Sequence, residues 1–209
     1  MKKLWILGDS WSTPWDKVNS IGQVEYVKRY QPKLHISNIL QDKLGCDEVI
    51  NLARGANCNY SIFESLCKNV NRISEEDVIV IGWSEITRWR NLTVNSDDWT
   101  SWGVGFRGVH GAEVPESFIE ECVNRDSHLS ADEVNNWMSL IDKCFPNQVI
   151  HWTPFQGMVK KWPHLNIECP NFKVERIYHV TDIKDNHPTE ASHVKISDWI
   201  LSENRKKLI

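Results

Sequence analysis

Short apolar runs, separated by segments of helical periodicity, constrain the fold of this chain more than any other feature. Four such runs occupy residues 4–7, 49–53, 78–82 and 149–154, and each is closed by a glycine or a proline. Runs of this length bounded by turn residues are typical of buried strands. Strands that alternate with amphipathic helices predict an α/β fold, with a parallel sheet covered on both faces. A weaker fifth strand is expected at residues 174–180.

Helical periodicity fills most of the gaps between these strands. Apolar residues at positions 36, 39, 40 and 44, followed by Gly45, predict a helix with a glycine C-cap. Capping-box patterns at residues 61–64 and 130–133 predict the starts of two more helices. A last helix is expected from near residue 189 to near residue 204. The polar residues 12–31 are expected to form a loop that folds over the functional site.

The rhythm breaks between residues 91 and 115, where tryptophan, phenylalanine and glycine cluster. This segment is interpreted either as a lid or substrate-binding insertion, or as a hairpin packed on the edge of the sheet. A chain of 209 residues fits one domain, residues 1–209, that carries this insertion.

Bulk properties exclude several classes of function. The 24 Lys+Arg and 28 Asp+Glu residues give a net charge of -4, and no basic stripe indicates a nucleic-acid partner. No apolar stretch is long enough to span a bilayer, so no membrane partner is expected. The first apolar run is cut off at Gly8 and Asp9, unlike a signal peptide, and a cytoplasmic location is expected. The 6 cysteines lack the spacing of metal ligands and are expected to be reduced structural thiols.

Chemically useful side chains follow several of the predicted strands. Ser10 comes after the first strand and Gly55 after the second, while Asp185 and His187 precede the last helix. The carboxyl ends of parallel strands meet at one edge of a sheet, where open α/β folds bind ligands. A serine nucleophile needs a base, and a histidine oriented by a carboxylate is the best one available at neutral pH. The pattern predicts a catalytic triad of Ser10, His187 and Asp185, and the alternative is that these residues only form polar turns.

At these positions the chain resembles the SGNH or GDSL-type serine hydrolases. Gly8-Asp9-Ser10 matches their first block, Gly55 matches the glycine of their second, and Asp185-Asn186-His187-Pro188 matches their last. The resemblance covers the whole chain in block order. It implies a three-layer α/β/α sandwich around a flavodoxin-like parallel sheet of about five strands. It also implies ester hydrolysis through an acyl-enzyme on Ser10, with no metal and no cofactor.

The third block departs from the pattern of this family. The family has Gly-x-Asn-Asp, whereas this chain has Gly82-Trp83-Ser84-Glu85, so that Ser84 stands where an oxyanion-binding asparagine is expected. The resemblance implies an oxyanion hole built from the backbone N–H groups of Ser10 and Gly55 together with Ser84. A serine hydroxyl is a shorter and more freely rotating donor, so turnover is expected to be slow unless another group fills the hole. Short hydrolase-like proteins of bacteriophages resemble the chain in their Trp-Ser third block.

The last block also departs from the family, because one residue instead of two separates the aspartate from the histidine. Asp182 is therefore kept as a second candidate for the orienting carboxylate. His193 falls where many members carry a second histidine, and a structural role is expected for it. His151 and His179 are expected to be core residues.

The substrate is expected to be a small acyl ester, such as an O-acetyl group on a carbohydrate. The 11 tryptophans of the chain suit stacking on sugar rings, although they equally suit a core or a protein interface. Trp11 and Trp83, which flank the first and third blocks, are the candidate substrate-binding residues, with core packing as the alternative. The competing function is a non-catalytic binding or structural protein that retains the hydrolase fold, and the Ser84 departure favours it.

Overall fold

A computed structural model describes most of the chain. The described residues are 1–55, 57–84, 88–92, 99–103, 127–154, 167–168, 176–177, 180 and 185–204. The strands are β1 (Lys3–Leu7), β2 (Glu48–Asn51), β3 (Val78–Gly82), β4 (Arg88–Leu92), β5 (Trp99–Gly103), β6 (Val149–Thr153) and β7 (Ile167–Glu168). The α-helices are α1 (Ile21–Tyr30), α2 (Ile36–Leu44), α3 (Asn59–Cys67), α4 (Ser127–Cys144) and α5 (Glu190–Asn204).

The central sheet has five parallel strands among the described residues, in the spatial order β2-β1-β3-β6-β7. Strands β4 and β5 pair only with each other, as an antiparallel hairpin. When this hairpin is set aside, the order is 2-1-3-4-5, which is the flavodoxin-like arrangement. The chain crosses from one side of β1 to the other between β2 and β3, so the crevice beyond the carboxyl ends of β1 and β3 is where this topology places a ligand.

The two faces of the sheet are covered by different helices, because side chains along a strand alternate between faces. Trp5 and Leu7 of β1 pack on one face, in a buried cluster with residues of α3 and α4. Leu4 and Ile6 pack on the other face, with residues of α2 and α5. Burying each large apolar side chain contributes about 1.5–3 kcal/mol. The expected α/β/α sandwich with a five-stranded parallel sheet is therefore confirmed.

Most of the predicted elements are present, and two of the predicted helix starts are wrong. The first, third and fourth strands, the helix that ends at Gly45 and the last helix lie where they were expected. Helix α3 begins at Asn59, with Cys58 as its N-cap, so Ser61 lies inside it. The described part of α4 begins at Ser127, which places the pattern at 130–133 within a helix. Asn59 is held by hydrogen bonds to the backbone of Ser84, a tertiary contact that a capping pattern does not record.

The expected loop at residues 12–31 is also corrected. It contains a 3₁₀ turn at Trp15–Lys17 and the ten-residue helix α1. Ser20 is the N-cap of α1, and its side chain accepts a hydrogen bond from the backbone N–H of Gln23. The pattern Ser-x-x-Gln at residues 20–23 is a capping-box signature, and it was the local signal for this helix.

The fifth strand lies earlier in the chain than expected. It is β7, which pairs with β6, and the described residue Arg176, within the expected range, instead forms an isolated antiparallel bridge with Pro188. The aromatic-rich segment begins with the β4–β5 hairpin, and residues 104–115 lie outside the described part of the chain.

The described cysteines are free thiols: Cys46, Cys58, Cys67 and Cys144. Cys122 and Cys169 lie outside the described residues. No helix in the described part of the chain is long and apolar enough to cross a membrane.

Candidate active site

Glycines at the ends of β1 and β3 allow the two strand ends to approach closely. A Cβ atom on Gly8 would lie 2.7 Å from Ser12 Oγ, and one on Gly82 would lie 2.9 Å from the same atom. Any larger residue at either position would push the strand ends apart. The close approach brings the segment that carries Ser10 against the segment that carries Ser84.

The segment of residues 8–13, here called the nucleophile loop, is fixed by buried hydrogen bonds around Asp9. The Asp9 carboxylate accepts a hydrogen bond from the Trp11 backbone N–H at 3.0 Å. The Asp9 carbonyl accepts from Ser12 N–H at 3.0 Å and from Thr13 Oγ1 at 3.1 Å. These bonds close a tight turn, so the position of Ser10 is set by the residues on either side of it.

The backbone N–H groups of Ser10 and Gly55 are the candidate oxyanion donors. Among the contacts of the described residues, neither Ser10 N–H nor Gly55 N–H forms a hydrogen bond. The two residues belong to neighbouring strand ends, and the Arg54 N–H donates to the Gly8 carbonyl at 3.2 Å. Unpaired N–H groups at such an edge are the donors from which oxyanion holes are made.

Ser84 lies at the same edge, and its hydroxyl is directed at Asp9. Ser84 Oγ donates to Asp9 Oδ2 at 3.2 Å, and the whole residue is buried. Its backbone is held by Asn59, which accepts from Ser84 N–H at 2.7 Å and donates to the Ser84 carbonyl at 2.9 Å. A hydroxyl can donate only one hydrogen bond. In this arrangement Ser84 donates it to Asp9, so the hydroxyl is not available to an oxyanion.

The two candidate substrate-binding tryptophans differ in their surroundings. Trp83 is 0% exposed, belongs to the core cluster of α3 and α4, and donates its indole N–H to His151 Nδ1 at 3.0 Å. It has no surface left to touch a substrate in this structure. Trp11 is 8% exposed, and the Arg176 guanidinium lies 4.2 Å from the centroid of its ring.

Asp185 and His187 form a hydrogen-bonded pair just before α5. His187 Nδ1 is bonded to Asp185 Oδ1, and the same oxygen accepts the His187 backbone N–H at 3.0 Å. Burial of Asp185 acts to raise its pKa, but the hydrogen bonds and charge of His187, with a hydrogen bond from Ser20, outweigh it and lower the pKa to about 2. An ionised aspartate on Nδ1 orients the ring and leaves Nε2 to act as the base. Asp182, the second candidate, lies outside the described residues.

Asp185 has a further partner that sequence reasoning missed. Ser20, the N-cap of α1, lies with its Oγ 2.8 Å from Asp185 Oδ2. Gly22, in the first turn of the same helix, is packed so closely that a Cβ atom there would lie 2.3 Å from Asp185 Cβ. The capping pattern at residues 20–23 could have located the helix start, but nothing local indicated that it meets Asp185.

Arg176 links the two halves of the candidate site. Its guanidinium covers Trp11, the residue after Ser10, and its Nη1 donates to the carbonyl of Asn186, the residue before His187, at 2.8 Å. The neighbouring Ile177 N–H donates to the His187 carbonyl at 2.9 Å. The hydrogen bonds of the described residues include the Asp185–His187 pair and do not include a Ser10–His187 bond. In free enzymes such catalytic bonds are often longer than in substrate complexes.

Two further histidines lie buried behind this edge. His193 and His35 have ring centroids 4.3 Å apart, and Trp15 packs edge-on against His193 at 5.0 Å. Burial lowers the pKa of His35 to about 3, and burial with the nearby His35 and His187 lowers the pKa of His193. Both rings are therefore neutral at pH 7, as expected of structural histidines. His151 is fully buried, and His179 lies outside the described residues.

The sequence of this chain matches no model of a protein family and no curated protein. Among 16 matching chains of solved structures is the psychrotrophic esterase EstA from Pseudoalteromonas sp., with 14% identity, 99% of this chain and 98% of that chain covered, and a TM-score of 0.48. The lipase/acylhydrolase from Enterococcus faecalis has 14% identity, coverages of 99% and 97%, and a TM-score of 0.46. LAE5, an alpha/beta hydrolase enzyme from the metagenome of Lake Arreo, has 11% identity, coverages of 97% and 94%, and a TM-score of 0.48.

Proposed function

We propose that the chain is a serine ester hydrolase that works through an acyl-enzyme on Ser10. The observation that carries the proposal is the Asp185–His187 pair, in which a buried, ionised carboxylate is bonded to imidazole Nδ1. Arg176 ties this pair to the residue that follows Ser10. The blocks around Ser10, Gly55 and His187, which resemble those of SGNH hydrolases, support the same assignment.

The residues supply each step of an acyl transfer. Ser10 Oγ attacks the acyl carbon while His187 Nε2 takes its proton, and the carbonyl oxygen becomes an oxyanion. The backbone N–H groups of Ser10 and Gly55 bind this oxyanion, and Ser84, the third donor that the resemblance implies, would join them only if its hydroxyl turned away from Asp9. His187 then protonates the leaving alcohol. In the second half, water gives its proton to His187 and attacks the acyl carbon, and Ser10 Oγ recovers a proton as the acid leaves.

The substrate proposed is a small acyl ester, such as an O-acetyl group on a carbohydrate. Ser10 is buried in a tight turn, which favours a short acyl group over a long one. Trp11 follows Ser10 and is the proposed aromatic surface for a sugar ring; its ring is buried beneath the Arg176 guanidinium, which would have to move aside for the sugar.

The test compares the wild type with Ser10→Ala and His187→Ala on a chromogenic acetyl ester. We expect hydrolysis by the wild type and a loss of about a thousandfold or more in each variant, because triad members act as a unit. A fluorophosphonate probe should label the wild type at Ser10 and should label neither variant. Equal hydrolysis by the wild type and Ser10→Ala contradicts the proposal.

A non-catalytic binding or structural protein with the same fold is the second candidate. The observation that favours it is the Ser84 hydroxyl, which bonds to Asp9 instead of facing the space beside Ser10. Folded wild-type protein that neither hydrolyses the ester nor reacts with the probe would support this second function.

A further inference from the structure

We propose that the N-terminus of α1 is part of the catalytic machinery: Ser20 and Gly22 are positioning residues that hold the Asp185 carboxylate in register with His187. This inference rests on the proposed function, and it adds to the triad two residues from a helix about 160 residues away in sequence. Neither residue touches the substrate, so both act through Asp185.

The two oxygens of Asp185 have separate partners. Oδ1 takes both contacts from His187, to the ring Nδ1 and to the backbone N–H. Oδ2 is bonded to Ser20 Oγ at 2.8 Å. A carboxylate held at only one oxygen can turn about its Cβ–Cγ bond, because that torsion is broad. The second contact therefore fixes the plane of the carboxylate and, through it, the direction of the imidazole ring.

The Ser20 hydroxyl donates its hydrogen bond to Asp185. Ser20 Oγ has a second neighbour, the side-chain amide of Gln23 at 2.9 Å, and it also accepts the Gln23 backbone N–H at 3.2 Å. One proton cannot serve both neighbours, and the ionised carboxylate is the stronger acceptor. The Gln23 side-chain oxygen is the atom placed nearest to Ser20 Oγ. Because amide oxygen and nitrogen are assigned from the hydrogen-bond network, the exchanged assignment, with the NH₂ group toward Ser20, satisfies both contacts. Ser20 thus caps the helix with its oxygen and orients Asp185 with its proton.

Gly22 lets the first turn of α1 approach Asp185. A Cβ atom at this position would lie 2.3 Å from Asp185 Cβ and 2.4 Å from Oδ2, far inside van der Waals contact. Glycine within a helix normally costs stability, so its presence here needs a packing reason. The close approach also brings the positive end of the α1 dipole to the Asp185 carboxylate, which favours its ionised form.

The kinetic experiment uses Ser20→Ala, Ser20→Gly, Ser20→Thr and Gly22→Ala. We expect Ser20→Ala and Ser20→Gly to lower kcat about tenfold, since each loses one hydrogen bond to the charged Asp185 carboxylate. KM should be unchanged, because Ser20 does not touch the substrate. Ser20→Gly keeps an acceptable N-cap, so a loss in that variant does not come from fraying of the helix. Ser20→Thr keeps the hydroxyl and should restore kcat. Ser202→Ala, which removes an exposed hydroxyl bonded to the Trp199 carbonyl, is the matched control and should behave as the wild type.

A second readout does not depend on activity. The carboxyl ¹³C resonance of Asp185 is titrated in the inactive Ser10→Ala background, with and without Ser20→Ala. Removing the Ser20 donor should raise the Asp185 pKa from its wild-type value of about 2, and Ser202→Ala should leave it there. Gly22→Ala should shift the same resonance and lower kcat more than Ser20→Ala does, because the new methyl group displaces the carboxylate.

The outcomes separate this inference from the proposed function. A wild type no faster than Ser10→Ala overturns the proposed function, and the titration then decides the role of Ser20 by itself. If the wild type hydrolyses the ester but Ser20→Ala changes neither kcat nor the Asp185 pKa, the inference is overturned and the proposed function is not. Reduced kcat, unchanged KM and a raised Asp185 pKa together support it.

Discussion

The two loops that make up the candidate site are held in place in different ways. The nucleophile loop, residues 8–13, is closed by hydrogen bonds of Asp9 to residues 11, 12 and 13. It is also bonded to the ends of the neighbouring strands, through Asn51, Asn57 and Ser84. The segment of residues 185–188, here called the base loop, is closed by the Asp185–His187 hydrogen bonds and is otherwise bonded to segments outside the central sheet. Ser20 of α1 holds Asp185, and Arg176 holds the carbonyl of Asn186. One loop is a compact turn at a strand end, whereas the other is braced by two distant segments.

This difference indicates where each loop is vulnerable. The nucleophile loop continues directly from a buried strand, so its geometry follows from the sheet and is lost only when the turn itself is broken. The base loop follows residues outside the described part of the chain, and its described partners beyond the loop include Ser20 of α1, Arg176 and the backbone of Ile177. Changes at the base loop should therefore affect catalysis before they affect folding, and changes at Asp9 should do the reverse.

The largest effect is expected at the base loop. Asp185→Asn should reduce kcat about 10⁴-fold, because an amide NH₂ beside Nδ1 forces the wrong imidazole tautomer and leaves Nε2 protonated. The circular dichroism spectrum should stay that of the wild type. The control is Asp198→Asn, an exposed carboxylate paired with Lys43, which should keep wild-type kcat. A loss of less than about tenfold for Asp185→Asn would remove Asp185 from the triad.

The next effect is expected at the nucleophile loop, and it should fall on stability. Asp9→Ala removes the acceptor of the Trp11 N–H and of the Ser84 hydroxyl, both of which are buried. Leaving these donors unpaired should lower the free energy of unfolding by about 2–4 kcal/mol, measured by urea denaturation. Unchanged stability would show that the turn does not depend on Asp9, and the contrast between the loops would fail.

Acid should lower the free energy of unfolding through the buried ring of His35, which packs against His193. The folded protein keeps His35 neutral down to about pH 3, whereas the unfolded chain protonates it near pH 6.5. The unfolded state therefore binds more protons, and stability is lost as the pH falls from 6.5 toward 3. Below pH 6.5 this one group should remove about 1.4 kcal/mol per pH unit, or about 2 kcal/mol at pH 5.

A matched variant isolates this acid effect. His35→Gln cannot titrate, so its free energy of unfolding should depend less on pH between 6.5 and 4 than that of the wild type. Parallel pH profiles for the two proteins would contradict a role for His35. Asp185 affects stability at lower pH than His35 does. Its contribution to the free energy of unfolding is full above its usual pKa of 3.8 and is lost as the pH falls through about 2.

The smallest effect is expected at Ser84. Its hydroxyl bonds to Asp9 within the buried edge, so Ser84→Ala should lower kcat less than about tenfold, whereas an oxyanion donor is worth about a hundredfold or more. Ser84→Asn, which introduces the asparagine of the Gly-x-Asn-Asp block that residues 82–85 resemble, should raise kcat if that side chain reaches the oxyanion. A loss of a hundredfold in Ser84→Ala would show that the hydroxyl turns to the oxyanion during the reaction.

Sequence patterns predicted most of the strands and helices of the fold. The buried runs predicted the strands β1, β3 and β6, and Gly45 at φ 60 confirmed the predicted end of α2. The two-residue strand β7 was missed because so short a run has no detectable period. Helix α1 was missed although the capping pattern at residues 20–23 was present, since the surrounding polar composition favoured a loop.

The sequence by itself determined the alternation of strands and helices, because hydrophobic periodicity is a local property of the chain. It also determined that a serine follows the first strand and that a histidine two residues after an aspartate precedes the last helix. Only the tertiary structure decided that the Ser84 hydroxyl bonds to Asp9 and that Ser20 bonds to Asp185. These contacts join residues 75 and 165 positions apart, and such pairs are brought together by packing of the sheet and its helices, which leaves no periodic mark in the sequence.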